Sequence, residues 1–168
     1  HNGEVIVESM WEASHENPHR GGMASLRRVC WRQELHEDAL KKLRHLNWEG
    51  VAMMEYRLDS GTGKFYFIEL NARYWGGLRA ELYAGIDIPY VQIGRMLNKT
   101  VSTGSHRGNH ISCRHTVPGE FGYVLSRIRD PELSRVGKIW TGIEFFLLFL
   151  DPRVKSDLNF PGDRKLYY

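Results

Sequence analysis

The chain has 168 residues, 42% of them hydrophobic, which suits one domain or one part of a larger one. A net charge of +3 with a pI near 8.9 fits small anions such as nucleotides and is too weak to point to nucleic acid. The longest apolar run, Phe145 to Leu150, falls far short of the ~20 residues a membrane span needs. No signal peptide is visible, and Cys30 and Cys113 form no metal-type spacing, so free thiols and a cytoplasmic location are expected.

In chain order, Gly3 to Trp11 reads as a strand and Ala13 to Ser25, with Pro18 and paired Gly21 and Gly22, as a loop. Leu26 to Trp31 reads as a short strand. Gln33 to Asn47 places Leu35, Ala39, Leu43 and Leu46 at helical spacing, with acids first and bases last, as the helix dipole favours. Gly50 to Leu58, the turn Asp59 to Gly63, and Lys64 to Arg73 read as a β-hairpin. Helices come next at Leu78 to Ile86, stopped by Gly85, and at Ile88 to Leu97, with Pro89 near its start. Gly108 to Pro118 is a last strand and Glu132 to Leu150 a helix, with turn-rich sequence after it. The expected class is α+β, an antiparallel sheet with flanking helices. Residues 1–118 form a lobe and 119–168 a helical or irregular extension packed on it or following it.

The informative stretch is "KFYFIELNARYWGG", Lys64 to Gly77. An aromatic strand turns polar at every second position, at Glu69, Asn71 and Arg73. Strict alternation puts Phe65, Phe67, Glu69, Asn71 and Arg73 on one face. A solvated ion pair of Glu69 and Arg73 on an exposed face is the alternative for that stretch alone. Glu55 adds weight, because it ends another apolar run, Val51 to Met54, which the hairpin brings beside Glu69. Two carboxylates and an amide oxygen make an oxygen-only site suited to Mg²⁺ or Mn²⁺ with substrate phosphates in the shell. Arg73 beside them is a bidentate anion clamp.

The register makes this checkable. Directly paired residues of an antiparallel hairpin have a constant index sum and share a face. A regular two-residue turn would set Glu55 opposite Ile68 or Leu70, on the wrong face. A shared ion therefore requires an odd-length loop or a bulge, for which Gly61 and Gly63 are candidates.

"GVAMMEYRLDSGTGKFYFIELNARYWGG", with "AGIDIP" after it, resembles the second lobe of the ATP-grasp enzymes, closest to the carbamoyl-phosphate-synthase-like branch of carboxylate–amine ligases. Glu55 matches that family's first acid, and Glu69, Asn71 and Arg73 match its Glu-x-Asn-x-Arg pattern. The resemblance covers about Gly3 to Leu97 and thins beyond Pro118. It implies ATP and Mg²⁺ (or Mn²⁺) as cofactors, with Glu55, Glu69 and Asn71 holding the metal against the phosphates. It implies Arg73 as the catalytic residue that stabilises the transferring phosphoryl group. The implied reaction activates a carboxylate as an acylphosphate for attack by an amine-type nucleophile. Gly21, Gly22, Ser25 and Arg27 match a substrate loop of the family; a flexible surface loop with Arg27 and Arg28 solvated is the equal alternative.

A complete member also has a first lobe bearing lysines, so this chain is expected to be the C-terminal lobe of a ligase, with that N-terminal lobe as its partner. A homodimer is open. The alternative from another class is a non-catalytic binding module that keeps the lobe as a scaffold. His15/His19 and His106/His110 are each four apart, but Pro18 and Gly108 interrupt the helix a zinc pair would need, so solvated loop histidines are expected. The five tryptophans and the aromatic run Phe145 to Phe149 are expected in the core or in a contact between parts.

Overall fold

The computed structural model describes residues 3–101, 104–106 and 111–158. The strands are β1 (Val7–Ser9), β2 (Trp11–Asn17), β3 (Met23–Val29), β4 (Met53–Leu58), β5 (Phe65–Asn71), β6 (Gly104–His106), β7 (Ser112–Arg114) and β8 (Val154–Ser156). The helices are α1 (Gln33–His45), α2 (Leu78–Tyr83), α3 (Ile88–Met96), α4 (Phe121–Arg129) and α5 (Arg135–Leu147), with a kinked turn over Thr116–Glu120 leading into α4. The class is α+β, as the pattern implied. A four-stranded sheet runs in the order β2-β3-β7-β8, β4 pairs with β5, and β1 pairs with β6. The pairings are antiparallel except for two short parallel ladders, β1 with β6 and β7 with β8.

Local chemistry explains the helix ends. Asp87 caps α3 by accepting from the Tyr90 N–H, with Pro89 in the first turn. Ser134 caps α5 by accepting from the Gly137 N–H at 3.1 Å. Helix α2 ends on Gly85 at φ +83, where the Ile86 N–H reaches the Glu81 carbonyl and the Gly85 N–H that of Leu82. This double closure needs a left-handed residue, which glycine adopts without a Cβ penalty.

One element differs from expectation. The segment from Ala13 to Ser25 is a β-hairpin rather than a long loop, with only residues 18–22 in the turn. Helix α4 lies in the extension expected to be helical or irregular, ahead of the helix expected from Glu132. Residues 159–168 and His110 lie outside the described residues, as does the start of the strand expected from Gly108.

The core lies between the four-stranded sheet and the helices. Leu26 of β3 and Cys113 of β7 are fully buried, and Ala80 of α2, Ile88 and Val91 of α3, and Tyr123 and Val124 of α4 are buried as well. Burial pushes the Cys113 thiol up to about 12. Among the described residues, no helix is long and apolar enough to cross a membrane.

Candidate functional site

The hairpin β4–β5 sets the site. From its open end the pairs are Met53 with Asn71, Met54 with Leu70 and Glu55 with Glu69. The register then slips by one, giving Tyr56 with Phe67, Arg57 with Tyr66 and Leu58 with Phe65. Ile68 is the extra residue, a bulge in β5. The turn closes through the Asp59 N–H to the Lys64 carbonyl at 2.9 Å, so its loop is even in length. Without the bulge at Ile68 the two glutamates would point to opposite faces. The register condition is met, by a bulge five residues beyond Gly63 rather than at the glycines of the turn.

The bulge also corrects the expected face. Glu55, Glu69, Asn71, Met53, Arg57 and Tyr66 share one side; Phe65 and Phe67 turn to the other, with Tyr56 and Leu70. The aromatic side meets α1. There Tyr56 donates to Asp38 at 2.7 Å and packs edge-on against Phe67, and the Lys42 ammonium lies 5.2 Å from the Phe67 ring centre. The division is therefore sharper than strict alternation predicted: apolar against α1, polar on the opposite side.

On that polar side Glu55 and Glu69 are exposed and directly opposed. Like charges in that position repel. Asn71 Nδ2 donates to Glu69 Oε1 at 2.5 Å, and Glu55 has no hydrogen bond or ion pair among the described residues. Arg73 follows the strand, exposed, donating to the Tyr74 carbonyl at 3.1 Å. All four border one open cleft of about 1790 Å³, whose wall also carries Gly22 and Arg27. That exceeds a closed small-molecule pocket. Arg57, on the same face, spans the cleft to Glu16 of β2 at 2.7 Å. The donor set fits a hard divalent cation: two carboxylates without an ion pair among the described residues, an amide, and room for further oxygen ligands. Among the described residues no group of three or more His, Cys, Asp or Glu forms a metal cluster.

The four residues expected in a substrate loop are not brought together. Gly21 lies in the β2–β3 turn at φ +88, its N–H donating to Glu16. Gly22 is packed against the turn itself: a Cβ there would lie 2.1 Å from the Asn17 carbonyl. Gly22→Ala is thus expected to lower the melting temperature by the several degrees that about 1–3 kcal/mol of overpacking implies. An unchanged melting temperature in a thermal scan would refute this role. Ser25 is buried in β3, not in a loop, and Arg27 pairs with Asp157 at 2.9 Å under Gly77.

Sequence reasoning missed the buried polar groups. Strand β2 bulges at Ser14 and β3 at Ser25, which aims His15 and Ser25 at one carboxylate. Glu120 Oε2 lies 3.0 Å from His15 Nδ1, and Oε1 accepts from Ser25 Oγ at 2.6 Å. Arg114 Nε stands 3.5 Å from the same carboxylate, too far for a good hydrogen bond, while its guanidinium lies against both the Phe145 and Phe149 rings and donates to the Phe145 carbonyl. Burial alone would raise the Glu120 carboxyl; the His15 and Ser25 hydrogen bonds and the Arg114 charge outweigh it and hold the group below the usual range.

His15 is therefore a buried, bonded histidine, stacked on Tyr123 at 4.1 Å, and His19 is held between Ser126 and Asp130; neither is a solvated loop residue. A second hidden carboxyl, Glu81 of α2, is pushed up by burial, partly offset by hydrogen bonds from Ser9, Trp11 and Trp75. Trp75 follows Arg73 by two residues, so Glu81 anchors the loop that leaves β5. A lone acid in a helix gives no sequence signal for either role.

No curated protein and no solved structure matches the chain. A profile of the family described as "ATP-grasp in the biosynthetic pathway with Ter operon" matches residues 18–116, which hold Glu55, Glu69, Asn71 and Arg73. That match spans more than half of the chain and contains the whole bulged hairpin, so the chain belongs to this ATP-grasp family.

Proposed function

We propose that this chain is the C-terminal, metal- and phosphate-binding lobe of an ATP-dependent carboxylate–amine ligase of the carbamoyl-phosphate-synthase-like branch. The observation that carries the reading is the Glu55–Glu69 pairing: two exposed carboxylates set face to face by a bulge, with no ion pair to either among the described residues. Membership of an ATP-grasp family supports ATP as the phosphoryl donor. The lobe extends to about residue 118, and the C-terminal extension braces it, with β8 joining its sheet. A first lobe covers the nucleotide.

Glu55 and Glu69 would hold Mg²⁺, with the Asn71 amide oxygen as a further ligand. The ion, when bound, screens the charge of the ATP phosphates and orients them. The Asn71 amide would steady one Glu69 oxygen and leave the second available to the ion. Arg73 uses its planar fork to meet charge developing on the transferring phosphoryl group and to retain the acylphosphate. The residues are positioned rather than reactive, because phosphoryl transfer needs alignment and charge neutralisation more than a protein nucleophile.

The experiment is ATP consumption by the full-length protein with panels of carboxylates and amines. ADP and phosphate release dependent on one carboxylate–amine pair is the expected result. Persistent absence of ADP with every pair would favour a non-catalytic scaffold. Arg73→Lys keeps the charge and loses the fork, so kcat should fall at least about 100-fold while KM for ATP moves less than about 3-fold. An unchanged kcat would reduce Arg73 to a structural residue.

A further inference from the structure

Helix α5 is mounted inside out. Its inward side is small, polar or charged. Thr141 is nearly inaccessible and bonds the Gly137 carbonyl, a Cβ at Gly137 would lie 2.8 Å from Leu133, and Glu144 lies 3.7 Å from His15. Phe145 stacks on Arg114. These contacts fix the helix's rotation, and they turn its apolar side to solvent. Val136 is 77% exposed, Ile139 64%, Trp140 58%, Ile143 43%, Phe146 69%, Leu147 48% and, just past the helix, Leu150 78%.

Positions 136, 140, 143, 147 and 150 advance by four, three, four and three, the seam that two packed helices share. Ile139 and Phe146 widen it. With about 150–250 Å² for each fully exposed aromatic and somewhat less for each aliphatic, the stripe presents roughly 800 Å². That is larger than the ~300–600 Å² patch usual on a monomer and equals the ~800 Å² each partner gives to a stable interface.

We propose that this face binds a second copy of the chain, α5 against α5, antiparallel about a two-fold axis at Ile143. The stripe is symmetric about that residue. Val136 of one copy meets Leu150 of the other, and the aromatic Trp140 and Phe146 pack across the axis. The same operation carries the basic start of the helix, Arg135, to the acidic Asp151 beyond the far end. That rim pair adds little energy, and Asp151 already holds Arg153 at 2.8 Å, but it opposes the parallel alternative, which would bring Arg135 to Arg135. Self-pairing also satisfies both copies with one surface, as two-fold dimers do. The cleft bordered by Glu55 and Glu69 contains no residue of α5, so the dimer leaves it open.

Light scattering and sedimentation of the full chain test this at about 50 μM, above the micromolar limit expected for such an interface. The expected mass is twice the 19.5 kDa of one chain. Ile143→Asp halves it, and so does Ile139→Asp, at a second exposed position of the stripe, so a misfolded variant cannot mimic both results. Far-UV dichroism of both variants should match the parent. In a Cys30→Ser background Ile143→Cys cross-links with itself under mild oxidation, while Leu150→Cys alone does not. A monomer throughout, a larger oligomer, or a dimer that survives both aspartates overturns the proposal.

Discussion

Glu69→Gln in the full-length protein should lower kcat/KM for ATP at least about 100-fold, the upper end of what losing a mere supporting partner of a metal ligand costs. The amide keeps the shape and the hydrogen-bonding distance to Asn71 but removes the charge that opposes Glu55 across the hairpin. Glu55→Gln should act in the same direction. Because both side chains are exposed, neither substitution should change the melting temperature by more than about 2 °C, consistent with surface replacements within about 0.5 kcal/mol. Any shift should be upward, because the repulsion is relieved. Full activity in Glu69→Gln, measured as ADP formation at saturating Mg²⁺, would rule out the metal site.

The second large effect lies in the interior. Glu120→Ala should destabilise the fold by about 3–5 kcal/mol, because it leaves the Arg114 charge buried without its carboxylate and strips acceptors from His15 and Ser25. That is a large part of the roughly 5–15 kcal/mol that holds a domain together. The pH dependence comes from the direction of the shift. The Glu120 carboxyl is held below the ordinary value near 4.3, so its contribution is complete above that pH and is lost as pH falls through the lower folded value. Urea midpoints of parent and variant should differ most near neutrality and converge as pH falls through that lowered value. A difference under 1 kcal/mol at pH 7 would mean the carboxylate is dispensable to the network.

The hairpin site was legible because strand geometry is arithmetic. Alternation places Glu69, Asn71 and Arg73 in series, and index sums state what Glu55 requires of the turn. The bulge position was not legible. Glycine marks a left-handed residue, but nothing local marks an irregularity at a β-branched residue such as Ile68, whose neighbours Phe65 and Phe67 meet Arg32 and Lys42 from elsewhere in the chain.

The same limit hid β2 and the start of β3. Pro18 and the paired glycines marked the turn, whereas Ala13 to Asn17 lacks β-branched residues and becomes a strand only through its pairing. In α4 the apolar positions Phe121, Val124 and Ile128 have helical spacing, but Gly119, Gly122 and three interspersed cations and hydroxyls masked the period. Nothing in the sequence separates Glu120 and Glu81 from solvated acids. Their partners come from residues far away in the chain, His15, Ser25, Ser9 and Trp11.

The central claim is that the bulged hairpin holds a divalent ion against nucleotide phosphates. Anomalous diffraction at the manganese edge, from crystals of the full-length protein grown with Mn²⁺ and a non-hydrolysable ATP analogue, tests it most directly. The expected result is a peak between the Glu55 and Glu69 carboxylates, within about 2.0–2.3 Å of an oxygen from each, with Asn71 or a phosphate oxygen beside it. Nucleotide bound with its manganese elsewhere, and both carboxylates facing solvent, would contradict it.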